Sequence, residues 1–270
     1  MTTVVRQVLV SELTSADTMR DPIALYRQVF RLCTTDPAPS PRLLVSLVRN
    51  GGIAVGAHLD GELVGFSYGF PGRAPIGHLD AQRAYHYMEL LVVRPDCQNS
   101  GIGRTLMQQV RAIAIRRGLQ RIYWAYDPLR AANAHFYLDV IGACGYEFID
   151  NMYGVEDTGR DRGFPTHRVV ARWDLDAPQR HWPEPPPGLA LGVPVRDHRV
   201  GYDSMLLAIP DEWEYRGGAA TVALHRDLCA VVHELMAGGY RAVSCRRVGG
   251  GLAVYRLVCG PVTAGHTLPL

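Results

Sequence analysis

The chain has 270 residues, of which 47% are hydrophobic and 20% charged, and its formal net charge is +2. This is the composition of a folded protein of one large or two modest domains, and its near-balanced, scattered charge calls for no nucleic-acid or anionic-membrane partner. Six cysteines (Cys33, Cys97, Cys144, Cys229, Cys245, Cys259) form no C-x-x-C pair, which leaves a zinc knuckle or redox motif unsupported, and no His/Asp/Glu spacing marks a metal site.

Val4–Glu12 is mostly β-branched and predicts a strand. Asp17–Cys33 predicts a helix, with Ile23, Leu25, Tyr26, Val29, Phe30 and Leu32 on its apolar face. The three prolines between Thr34 and Pro41 break it, and Arg42–Asn50 predicts a second short helix. Gly52–Leu59 and Glu62–Phe70 read as two strands joined by Asp60-Gly61, a tight-turn signal. Pro71–Asp80 is a loop. Tyr85–Val93 is a nearly continuous apolar run, as in a buried central strand. A helix over Gly101–Gly118, a strand over Leu119–Tyr126, a helix over Arg130–Ile141 and strands over Cys144–Asn151 and Thr166–Leu175 follow.

Asp176–Gly188 holds five prolines and cannot continue a sheet or helix, so 176–195 reads as a linker. Beyond it lie a strand (Ser204–Ile209), a helix (Gly218–Ala237) that stops at Gly238-Gly239, and two strands (Tyr240–Arg247, Leu252–Cys259). Met1–Arg20 lacks the basic and apolar segments of a signal peptide, and no apolar run approaches the ~18 residues of a membrane helix. A cytoplasmic protein with reduced thiols is expected.

The chemistry-bearing stretch is Gln98-Asn99-Ser100-Gly101-Ile102-Gly103, between a strand and a helix. A helix start has unpaired N–H groups and a partial positive charge, and glycines there let an anion reach the backbone. A Walker loop needs Gly-Lys-Ser/Thr, whereas Gly103 is followed by Arg104-Thr105. A dinucleotide fingerprint needs a third glycine where Leu106 stands. Without context, a lone Gly-x-Gly reads better as a tight turn.

The six residues match Q/R-x-x-G-x-G/A, the pyrophosphate loop of the Gcn5-related N-acetyltransferase (GNAT) superfamily, and the chain resembles that family from Val4 to Asp174. The resemblance includes "MELLVVRPDCQ" before the loop and "NAHFYLDVIGACGYEF" after the following strand. "YDPLRAANAHFYLDVIGACGYEFIDNMYG", with "LLAIPDEWE" and "GYRAVSCRRV", resembles a predicted acetyltransferase subfamily that carries a C-terminal extension. The resemblance implies an α/β (α+β) fold with a mixed, splayed central sheet flanked by helices, plus a smaller C-terminal α/β extension. It implies a catalytic domain over 1–175, with 196–270 closing the acceptor site, dimerising the chain or forming a degenerate acyltransferase-like half.

The implied co-substrate is acetyl-CoA or another acyl-CoA, with no metal. The backbone of Leu91, Val92 and Val93 would pair with the pantetheine arm. The N–H groups of Asn99, Ser100, Gly101, Ile102, Gly103 and Arg104, after Gln98, would hold the pyrophosphate. Arg94 and Arg104 are either phosphate partners or solvated. Glu89 stands alone in an apolar strand, where burial raises a carboxyl's pKa, and it matches a glutamate of the family, which implies a general base. Tyr85 and Tyr87 are expected on its face, and His86 on the other. Tyr137 matches the family's helical tyrosine and implies an acid for the leaving thiolate; Asn133, one turn earlier, implies a CoA contact. The family's Asn, Ala and Tyr places are held here by Arg130, Asn133 and Tyr137. His78 and Asp80 precede the central strand, and Cys97 lies beside the loop.

The implied function is direct transfer of an acetyl, succinyl or other short acyl group to a small amine or amino acid in a ternary complex. A non-catalytic CoA-binding sensor, or transfer to a hydroxyl or protein lysine, stands as the alternative. No nucleic-acid or membrane partner is expected.

Overall fold

The computed structural model describes residues 8–73, 84–155, 163–213 and 218–260. The chain divides into two compact units, Met1–Trp124 and Ala125–Leu270. The division falls inside one strand, and the expected boundary near residue 175 lies within the second unit.

The first unit orders its strands β1 (Val8–Glu12), β2 (Ile53–Leu59), β3 (Glu62–Arg73), β4 (Ala84–Val93) and β5 (Arg121–Tyr126), as neighbours in sequence order. β1 through β4 pair antiparallel, and β5 joins β4 in parallel. The β2–β3 connection is the expected two-residue turn, with Asp60 at φ 53° and Gly61 at φ 86°. Positive φ at both positions matches the right-handed twist of a hairpin.

Two helices cover one face of these strands. α1 (Arg20–Phe30) follows a short 3-10 turn at Asp17–Met19 and ends at Arg31, which adopts a left-handed conformation. α2 (Pro41–Arg49) starts as its composition demands: the Ser40 hydroxyl accepts from the Leu43 N–H, and Pro41 opens the first turn. Leu25, Val29 and Leu44 from these helices bury against Ala54, Phe66, Tyr68 and Val92. The amphipathic α3 (Ile102–Arg116) packs on β2, β3 and β4 and buries Leu106, Met107, Val110 and Ile113. Arg117, after its last turn, donates to the carbonyls of Gly51 and Gly52 at 2.9 Å each.

In the second unit the strand order is β7 (Arg168–Asp174), β6 (Cys144–Ile149), β10 (Tyr240–Gly249), β11 (Leu252–Cys259), β9 (Asp203–Pro210) and β8 (Val195–Arg196), all antiparallel. α4 (Ala131–His135) runs into one π-helical turn over Phe136–Val140, and α5 (Ala219–Ala237) packs on β6 and β10. The π turn is fastened by Asp139. Its carboxylate accepts from the Ser244 hydroxyl at 2.7 Å, the Cys245 N–H at 2.8 Å and Arg246 Nε at 3.0 Å.

Before Val195 the proline-rich stretch carries no strand or helix, as its prolines require. It nevertheless packs: Trp182 buries with Val243 and Val258, and the Pro183 carbonyl accepts from the buried Arg256, itself paired with Asp197. Among the described residues all six cysteines are free thiols, and no helix is long and apolar enough to cross a membrane.

Candidate active site

β4 carries an irregularity beside the glycine loop. Its ladder with β3 matches Tyr68 to Leu90 and Gly69 to Met88, so Glu89 is an extra residue opposite no partner. Such a bulge bends its strand, increases local twist and re-aims the extra side chain. Side-chain parity confirms the slip. The Tyr87 ring meets Phe70 at 5.3 Å, on the face that β3 shares with Phe66 and Tyr68. Leu90 and Val92 pack on that same face. An odd residue before the bulge and even residues after it therefore share one side. The simple alternation expected over Tyr85–Val93 breaks at Glu89.

The strand pays for this shape with close packing beside it. His86 is fully buried, and a Cβ on Gly69 would sit 2.6 Å from its Nε2 and 2.1 Å from the Tyr87 carbonyl oxygen. Only glycine fits there. Burial, then the Arg117 charge, lowers the His86 pKa to about 4, so the imidazole is neutral at pH 7 and only a weak base. Glu89 differs. Its side chain is exposed, yet surrounding protein desolvates the carboxyl enough to raise its pKa. A carboxyl that is both reachable and raised suits proton acceptance.

β4 and β5 match only at His86–Ile122 and Tyr87–Tyr123. Beyond these pairs the C-terminal part of β4, with Leu91, Val92 and Val93, stays paired to β3 at Ser67, Phe66 and Gly65 and has no ladder to β5. Parallel strands that part at a bulge leave backbone groups facing a gap within the first unit.

The loop after β4 is held by its own side chains. Gln98 Nε2 donates to the Val93 carbonyl at 3.0 Å, and the Ser100 hydroxyl donates to the Cys97 carbonyl at 2.5 Å. Arg94 pairs with Asp96 at 2.7 Å and Glu62 at 3.1 Å. Cys97 is buried beneath the loop. Asn99 (φ 60°) and Gly101 (φ 87°) are both left-handed, which turns successive N–H groups the same way. Gly101 is the N-cap of α3, and a Cβ there would meet nothing within 4 Å. A glycine cap has no side chain to take the N–H groups of Ile102, Gly103 and Arg104 that start the helix. Arg104 is exposed in this first turn. The result is a set of backbone donors at the positive end of a helix dipole, an arrangement chemically able to take an anion.

Tyr137 lies in the π turn, a rare helical irregularity that occurs frequently at functional sites. Its ring meets Tyr126 at 5.7 Å and Phe136 at 5.3 Å, and burial raises its pKa, so the phenol holds its proton at neutral pH. Asn133 is exposed on α4. The glycine loop and Glu89 belong to the first unit, and Tyr137 and Asn133 to the second. His78 and Asp80 lie outside the described residues. The bulge and the π turn were missed from sequence. The one available signal was a lone acid interrupting an apolar strand.

The family model described as "Acetyltransferase (GNAT) family" matches residues 20–143. No curated protein matches the chain. Among solved structures, an N-acetyltransferase from Staphylococcus aureus Mu50 is 14% identical, with a TM-score of 0.49, covering 63% of this chain and 99% of that one. A GNAT-family acetyltransferase from Streptococcus pneumoniae is 15% identical, with a TM-score of 0.48, covering 62% and 99%. The ribosomal-protein-S18-alanine N-acetyltransferase from Escherichia coli is 17% identical, with a TM-score of 0.46, covering 65% and 99%. Scores this low transfer no substrate.

Proposed function

We propose that this chain, whose residues 20–143 match the GNAT acetyltransferase family model, moves a short acyl group from coenzyme A to a small amine within one ternary complex. The observation that carries this reading is the pairing of a bulged β4 with a glycine-capped α3. The first offers backbone to an extended pantetheine arm. The second offers N–H groups to a pyrophosphate.

Gln98 to Arg104 hold the pyrophosphate, with Gln98 and Ser100 shaping the loop through the Val93 and Cys97 carbonyls. Leu91, Val92 and Val93 meet the pantetheine amides, and Asn133 adds a polar contact to coenzyme A. In the transfer, the amine nitrogen bonds to the thioester carbon and the C–S bond breaks. The ammonium must first lose a proton, and Glu89 takes it. Tyr137, which keeps its proton at neutral pH, gives it to the departing thiolate, and the second proton that the nitrogen sheds as the amide forms restores the phenol. An amine is the favoured acceptor because a carboxyl raised by desolvation can take the proton of an ammonium group, whereas a hydroxyl needs a far stronger base.

The test is a panel of small amines and amino acids offered with acetyl-CoA and succinyl-CoA, reading free thiol. Amine-dependent thiol release is expected. Tight coenzyme A binding with no release from any amine would leave a binding protein rather than an enzyme.

A further inference from the structure

A second site stands apart from the acyl-transfer machinery, inside the second unit. His225 and Cys229 are four residues apart on α5, so they share one helix face. Each is 2% exposed. His167, immediately before β7, meets them there. One nitrogen from each histidine and the Cys229 Sγ all lie within 4.8 Å of one another. No other such group of three occurs among the described residues.

We propose that His167, His225 and Cys229 bind a zinc-class divalent cation, tying α5 to the β6–β7 connection. Two imidazoles and a thiolate form a donor set that suits zinc, and three protein ligands leave the fourth tetrahedral position to water. Tetrahedral zinc bonds of about 2.0–2.3 Å place neighbouring donors about 3.3–3.6 Å apart, so the triad must close by about 1 Å. Side-chain rotation on α5 supplies that. On binding, the Cys229 thiol releases its proton to solvent and both histidines bind neutral.

Two further features fit a metal. His167 Nδ1 lies 2.8 Å from an Asp150 carboxylate oxygen. That contact puts the proton on Nδ1 and leaves Nε2 as donor, the carboxylate–histidine arrangement that orients metal ligands. The Asn151 N–H also approaches Nδ1, but at 3.3 Å, and the shorter charged contact sets the tautomer. Around the triad stands an aromatic wall. Phe148 stacks on His167 at 5.8 Å, and Phe164 and Trp213 meet the His225 ring at 5.2 and 5.7 Å. A dry wall with polar donors converging inside it strengthens metal–ligand electrostatics.

Purified full-length protein, stripped with chelator and dialysed against Zn²⁺, should retain one metal per chain and melt at a higher temperature. Co²⁺ in its place should show the intense d–d bands of a tetrahedral site and a thiolate-to-cobalt charge-transfer band. Cys229→Ser should lose the charge-transfer band. Asp150→Asn changes an exposed carboxylate (70% exposed side chain) and should fold normally. It should weaken metal affinity by about 10–100-fold, the usual cost of losing such a partner. A stoichiometry well below one, a cobalt spectrum of octahedral type, or a charge-transfer band that survives in Cys229→Ser would overturn the proposal. So would unchanged affinity in Asp150→Asn.

Discussion

α3 carries a matched pair of glycines, one at each end, that separates folding from binding. Gly101 caps its start at φ 87°, and Gly118 follows its last turn at φ 75°. A Cβ at either position would meet nothing within 4 Å. Alanine at either site therefore costs only the left-handed backbone penalty, about 1–2 kcal/mol. For a protein this size each kcal/mol lowers Tm by about 2–4 °C, so Gly101→Ala and Gly118→Ala should each melt about 2–8 °C lower. Both should stay folded, since domains hold about 5–15 kcal/mol in reserve. Their coenzyme A affinities should part. At the start of α3 the methyl group stands among the N–H donors assigned to the pyrophosphate, and the strained cap turns them away from it. A loss of at least ~1.4 kcal/mol, or about tenfold in Kd, is expected for Gly101→Ala and none for Gly118→Ala. Thermal melts and isothermal titration with coenzyme A read both quantities. Equal affinities in two folded variants would refute the assignment of this helix start.

Gly103→Asp should reduce coenzyme A affinity far more than stability, because a carboxylate in the first turn repels the pyrophosphate while suiting the helix dipole; titration and a melting curve check this. Tyr137→Phe should lower turnover without a matching loss of acyl-CoA affinity if the phenol serves the transition state, whereas unchanged turnover with about 1 kcal/mol of lost stability would make it a packing residue. Burial pushes the Asp139 carboxyl up, but its hydrogen bonds from His135, the Cys245 N–H, Ser244 and Arg246 outweigh that and hold its pKa low. Its contribution is therefore present above the unfolded aspartate pKa and is lost as pH falls through the lower folded value. Asp139→Asn should cost stability at neutral pH and flatten the acid limb of a pH–Tm profile.

Most of the architecture was legible because its elements follow simple periodicities. The apolar spacing of Leu106, Val110 and Ile113 marks α3, and Asp60-Gly61 marks its hairpin. Tyr85–Val93 was legible as a strand but not as a bulged one. The run from Met88 to Val93 is apolar on both faces apart from Glu89, so a one-residue slip leaves no trace in the pattern. The π turn at Phe136–Val140 has no compositional signature either, since it widens a helix by one residue within an ordinary apolar face. The proline count between Asp176 and Gly188 excluded regular structure but said nothing of Trp182, whose burial depends on Val243 and Val258 far along the chain. The same limit hid the His167, His225 and Cys229 group: the i, i+4 pair is local, but its partner is brought by the sheet.

The most direct test of catalysis is thiol release from acetyl-CoA by wild type and Glu89→Gln, with the best acceptor of the amine panel, across pH. The raised Glu89 pKa means the folded protein resists its ionisation, so wild-type stability falls as pH rises from the unfolded glutamate value through the folded one. Glutamine removes that burden and should melt no lower than wild type at neutral pH. Turnover should nonetheless drop by roughly 10²–10⁴-fold, with coenzyme A affinity intact and the deficit shrinking at high pH, where the amine arrives already deprotonated. A Glu89→Gln variant that releases thiol at the wild-type rate at neutral pH would contradict the assignment of Glu89 as the base.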